Sequence, residues 1–285
     1  MTVARGQPGD WIVEAPCPVG DVGTLLARLG ETVALGVDFP IGLPREYAML
    51  HATEPDFPSF LGGLAGRPEF LRVCEALGDI GGGRPFYPLH GVKGMTRLSH
   101  AQALGLTNAA GLSRACDRAT TLRPAGAPVF WTLGTNQSGK AAISAWRDLL
   151  LPALAGPNPP ALWPFDGPFR SLLGPRRTAI AETYPAEALR QLGLRMAGSK
   201  RRQSDRAALA ASIAVALRAV GASPAPALLS ALDSGFGANA AGEDRFDSVL
   251  GLSCVLRVLA GEQTDRAPYD PAIQRWEGWV LGQPS

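Results

Sequence analysis

Apolar positions along this chain follow two periods, and each period predicts its own elements. Residues 32–38 (TVALGVD) carry no charge before Asp38 and break at once into FPIGLP, which predicts a strand buried on both faces, as in a parallel sheet. Pro40, Gly42 and Pro44 then rule out both more strand and an immediate helix. Residues 178–183 (TAIAET) repeat the design, ending on Glu182 and closed by Tyr184-Pro185, and residues 129–133 (VFWTL) predict a further strand. Short apolar runs at 2–4 and 11–15, joined through Gln7-Pro8-Gly9-Asp10, predict a hairpin. Helical spacing marks residues 22–29, 141–151, 186–192, 205–220 and 245–259.

Between residues 45 and 128 the pattern thins to short helical stretches at 68–77 and 113–119, separated by pieces such as Gly81-Gly82-Gly83. This segment reads as an insertion over the strand ends, where long insertions often act as functional lids. The alternation of strand and helix gives an α/β class, a mixed sheet flanked by helices in one domain over residues 1–285.

Composition narrows the function classes. With 285 residues, 46% of them hydrophobic and 18% charged, the chain can build a large core. A formal net charge of +2 permits a nucleic-acid partner without arguing for one. No run approaches the roughly 20 apolar residues of a membrane span, and MTVARGQPGDW lacks a signal-peptide core, so a cytoplasmic location without a membrane partner is expected. Cys17, Cys74, Cys116 and Cys254 form no CxxC pair, and His51, His90 and His100 lack ligand spacing. Zinc ribbons, disulfide frameworks and His-based hydrolases are therefore disfavoured.

The candidate chemistry lies in carboxylates. Asp38 and Glu182 each end a strand, where open α/β sheets place ligands. Asp244 and Asp247 sit three apart at the start of the last apolar helix, on one face. Converging carboxylates resist ionising together unless a cation neutralises them, and hard oxygen ligands suit magnesium or manganese and phosphoryl chemistry. Plainer readings stand beside this one: Asp244 as a helix cap, Glu182 paired with Arg177 or Arg190, and Asp38 as a turn cap.

Two basic features offer anion contacts. Residues 134–141 (GTNQSGKA) resemble a phosphate-binding loop between strand and helix, but Ala141 replaces the Ser or Thr that would hold magnesium. A softer version leaves Lys140 and backbone amides touching a phosphate or a nucleic-acid backbone. Lys200, Arg201 and Arg202 form a basic stretch that is either a solvated face or a second contact with backbone phosphates.

With VDFPIGLP, AETYPAEAL and DRFDSVLGL in order, the chain resembles, from about residue 11 to 259, a domain-of-unknown-function family of predicted RNase H-like nucleases. The resemblance implies an RNase H-like mixed sheet and a two-ion magnesium or manganese site at Asp38, Asp244 and Asp247, with Glu182 joining as a catalytic carboxylate. It also implies a departure. The hairpin, the helix at 22–29 and the strand at 32–38 fit the second strand, third strand, first helix and fourth strand of that fold. The first central strand, which carries an Asp, is then expected upstream of Met1. The leading expectation is a metal-dependent, nuclease-like phosphodiester hydrolase, inactive if that strand is absent. Its rivals are a non-catalytic nucleic-acid or nucleotide binding domain of the same fold and a nucleotide-dependent phosphotransferase using residues 134–140.

Overall fold

The computed structural model describes residues 1–28, 32–121, 123–134 and 137–284. It is a mixed α/β structure built on two small sheets. In the first, β1 (Ala4–Gln7) and β2 (Asp10–Val13) form the expected antiparallel hairpin, and β2 pairs in parallel with β6 (Ala222–Pro224). In the second, β3 (Val33–Val37), β5 (Thr178–Glu182) and β4 (Ala161–Leu162) run parallel in the order β3-β5-β4. The hairpin and β3 thus stand in separate sheets, and among the described residues no strand pairs with the outer edge of β3.

That placement corrects one expectation. β3 is an edge strand, half-buried except at Val37, whereas every residue of β5 is buried. The uncharged run of β3 is explained by one packed face: at Gly36 an added Cβ would lie 2.8 Å from Val255 and 2.9 Å from Thr183. Only glycine lets the long helix that carries Val255, Ala240–Leu259, come this close.

Eleven helices among the described residues surround the sheets. α1 (Val22–Arg28) follows the hairpin, and the insertion contributes α2 (Arg45–His51), α3 (Phe57–Gly63) and α4 (Arg97–Ala103). The expected helices at 68–77 and 113–119 are only 3-10 turns, Pro68–Leu71, Leu77–Asp79 and Ala115–Asp117. Residues 129–133 form no strand; Trp131 makes one isolated bridge to Tyr87. Their apolar side chains serve a cluster instead, in which Phe70, Phe86 and Phe130 meet edge to face at 5.3–6.4 Å and Trp146 joins through Phe86.

α5 (Ser138–Ala145) continues through a π-helical turn at Trp146–Leu150 into α6 (Leu151–Leu154). The Trp146 indole N–H donates to the Pro40 carbonyl at 2.8 Å and so braces the segment after Asp38. α7 (Pro185–Gln191) follows β5, and the Ala-rich stretch expected as one helix is split into α8 (Gln203–Ala207) and α9 (Ala210–Ala219). α10 (Pro226–Asp233) and the 20-residue α11 (Ala240–Leu259) complete the set. α11 buries Phe246, Val249, Leu250, Cys254, Val255 and Val258, the helical spacing expected of its apolar face. Among the described residues no helix is long and apolar enough to cross a membrane.

Gly42 fixes the turn beyond Asp38. Its φ is +147°, and a Cβ would fall 2.1 Å from the Glu277 carbonyl oxygen. The adjacent Leu43 N–H donates to the Trp276 carbonyl at 2.7 Å, so the two backbones are held together. Gly42→Ala is expected to destabilise the fold by about 2 kcal/mol, measured by urea unfolding, because the main chain must move.

Candidate active site at the ends of two parallel strands

Parallel pairing puts Val37 opposite Glu182, so Asp38 emerges beside the carboxyl end of β5. The Thr183 N–H donates to the Val37 carbonyl at 2.7 Å and locks that register. α11 begins at Ala240 under an Asn239 cap, which carries Glu243, Asp244 and Asp247 on its first two turns. A cleft of about 680 Å³ brings together all four predicted carboxylates, Asp38, Glu182, Asp244 and Asp247, with Lys200 facing them.

The remaining predicted cations stand apart from it. Lys140 is exposed and does not line the cleft, although Gln137, Ser138 and Ala141 at the start of α5 do. Thr135 and Asn136 of the same loop lie outside the described residues. Arg201 and Arg202 are exposed and absent from the lining, and Arg202 pairs with Asp205 at 2.6 Å.

The four carboxylates differ in what neutralises them. Glu182 is buried and held by Arg114, whose Nη1 and Nη2 donate at 2.6 and 2.7 Å, and by the Ile41 N–H at 2.9 Å. Burial pushes its carboxyl upward, while Arg114 and the Ile41 amide favour the charged form. The ion-pair reading of Glu182 is therefore right in kind, but the partner is Arg114; Arg190 takes Glu187 instead. Arg114 also binds Asp117 through Nε at 2.9 Å and Nη2 at 3.0 Å. Nothing in local spacing announces this link, because Arg114 lies in the insertion, 68 residues from Glu182.

Asp247 is half-neutralised. Its Oδ2 accepts from Lys200 Nζ at 2.5 Å, whereas its Oδ1 is buried with no partner among the described residues. Burial raises its carboxyl against the pull of Lys200. Glu243, which the sequence reading did not single out, shares the same ammonium at 3.3 Å. Asp244 is exposed in the cleft.

Asp38 keeps a face open to the solvent of the cleft, but protein crowds it on the other sides. That crowding, and then Asp247 against the pull of Lys200, with Glu182 adding like charge, pushes its carboxyl up to about 7.

No three Asp, Glu, His or Cys side chains among the described residues already converge as a metal site. The donor set still fits a divalent cation. An orphaned, buried Asp247 oxygen and an Asp38 carboxyl raised first by crowding and then by its acidic neighbours are both relieved by positive charge, and all the donors are hard oxygens. Comparison with protein-family models, curated proteins and solved structures finds no match to this chain, so the cleft's own chemistry is what speaks for its function.

Proposed function

We propose that the cleft is the centre of a metal-dependent, nuclease-like hydrolase that cuts phosphodiester bonds of nucleic acid, on an RNase H-like frame. The observation that carries the reading is an imbalance of charge. Asp38, Asp117, Glu182, Glu243, Asp244 and Asp247 line one cleft, and among the described residues only Arg114, Arg123 and Lys200 oppose them. A polyanion enters such a cleft only with added cations. The RNase H-like frame is supported by the parallel β3–β5 pair, acidic at both carboxyl ends, and by α11 packed against the same strands with its own carboxylates.

Asp38, Asp244 and Asp247 would hold magnesium or manganese. When bound, the ion supplies Lewis-acid stabilisation of the phosphoryl oxygens and an acidified water. Glu182 acts chiefly by fixing the strand tip through Arg114 and the Ile41 amide, which keeps Asp38 at its post. Lys200 reaches the same space and can meet a substrate phosphate.

A second reading, binding of nucleic acid or a nucleotide without cleavage, is favoured by one observation: Lys200 already bridges Asp247 and Glu243. The test presents labelled branched, single-stranded and duplex nucleic acid to the protein with Mg²⁺, with Mn²⁺ and with chelator. Cleavage that chelator abolishes supports the hydrolase; tight binding of intact substrate under every condition supports the second reading.

A further inference from the structure

Of the three cations in the cleft, Arg114 and Lys200 are held in opposite ways. The Arg114 guanidinium is committed to Glu182, Asp117 and the Glu277 carbonyl, and its side chain is 1% exposed. Lys200 is held only at its tip. Its side chain is 44% exposed, and Nζ lies 2.5 Å from Asp247 and 3.3 Å from Glu243.

The Lys200 backbone, in contrast, is pinned. The buried Arg206 guanidinium donates to the Lys200 carbonyl and to the carbonyls of Gly235 and Gly237. The Ser199 N–H donates to Asp205 at 2.8 Å. A fixed main chain under a flexible four-carbon stem lets the ammonium leave Asp247 without disturbing the fold.

We propose that Lys200 is a tethered cation that holds Asp247 and Glu243 in the metal-free protein, gives way to an incoming divalent ion, and then turns to the substrate phosphate. The inference rests on the hydrolase reading and adds to it what sets metal affinity. One ammonium brings a single charge to a group of carboxylates, and Asp247 Oδ1 and Asp38 receive no bond from it. A divalent ion brings twice the charge and takes several oxygens at once. Lys200 therefore competes with the ion for Asp247 and occupies its Oδ2 until the ion arrives.

The test is a Mn²⁺ titration of chelator-treated protein, read by loss of the free-ion EPR signal. Lys200→Met is expected to bind Mn²⁺ roughly tenfold more tightly than wild type at low ionic strength, and Lys200→Arg to stay near wild type. Equal or weaker binding by Lys200→Met overturns the proposal. If Lys200→Met does not fold, Lys200→Gln carries the same expectation. Adding Asp247→Asn must remove the gain; a gain that persists places the ion elsewhere and also overturns it. Tighter Mn²⁺ binding with no cleavage by any form keeps the role of Lys200 and removes the hydrolase. Wild-type cleavage with unchanged Mn²⁺ affinity in Lys200→Met does the reverse.

Discussion

Replacing Arg114 with methionine is expected to lower stability by roughly 3–5 kcal/mol, the scale for breaking a buried ion pair by removing one partner. For a chain of this size that is a fall in Tm on the order of 10 °C. The loss does not come mainly from the missing attraction. It comes from leaving Glu182 charged and buried at the end of β5, where among the described residues the Ile41 N–H alone remains to satisfy its side chain. Asp117 and the Glu277 carbonyl lose a donor in the same step, so the insertion is untied from the sheet.

The pH dependence of that loss has a definite sign. Burial already holds the folded-state pKa of Glu182 above its unfolded value, and losing Arg114 raises it further, so protonation of Glu182 stabilises the variant more at low pH and this help fades as pH rises. The deficit of Arg114→Met should be smaller at pH 5 than at pH 8. Adding Glu182→Gln should recover part of it, which a double-mutant cycle of urea unfolding measures. A deficit under about 1 kcal/mol would mean that Glu182 does not depend on this guanidinium.

Asp38→Asn is expected to move two properties in opposite directions. Metal-dependent cleavage should fall roughly 10²-fold or more, because a carboxylate proposed to hold the ion is lost. Metal-free stability should rise. The folded-state pKa of Asp38 is about 7, above the ordinary aspartate value near 3.9. Its contribution is then full below the unfolded pKa and is lost as pH climbs towards 7. Asparagine removes that loss, so the variant should gain on the order of 2 °C in Tm at pH 8 with chelator present, a modest figure because Asp38 keeps a solvent face. The gain should vanish by pH 4. If Asp38 were a turn cap, the same variant would lose stability instead.

The readable parts of this fold are those with local causes. The runs VALGVD and TAIAE end where Pro-containing segments begin, and both become parallel strands with acidic tips on one cleft. Asp244 and Asp247 share a helix face by spacing alone, and the structure places both in that cleft. Local pattern fails where distant partners decide. VFWTL has strand composition, but Phe130 is claimed by Phe70 and Phe86 of the insertion, which leaves Trp131 a single bridge. The run in β3 looks doubly buried, yet it is β5 that takes the centre of the sheet. The third strand of the hairpin's sheet is β6, more than two hundred residues downstream, where Ala222–Pro224 gives too short a signal to be seen. Arg114 was hidden for the same reason, and Lys200, legible as an anion contact, gave no sign of its pairing with Asp247, since an ion pair across the fold has no period.

The most direct test of the hydrolase account is the rate of Mn²⁺-dependent nucleic-acid cleavage at pH 8 by wild type beside Asp38→Asn. The account predicts cleavage by wild type that chelator abolishes and that falls roughly 10²-fold or more in the variant. Equal cleavage by the two proteins, or none by a wild type shown to bind Mn²⁺ in the cleft, would contradict it.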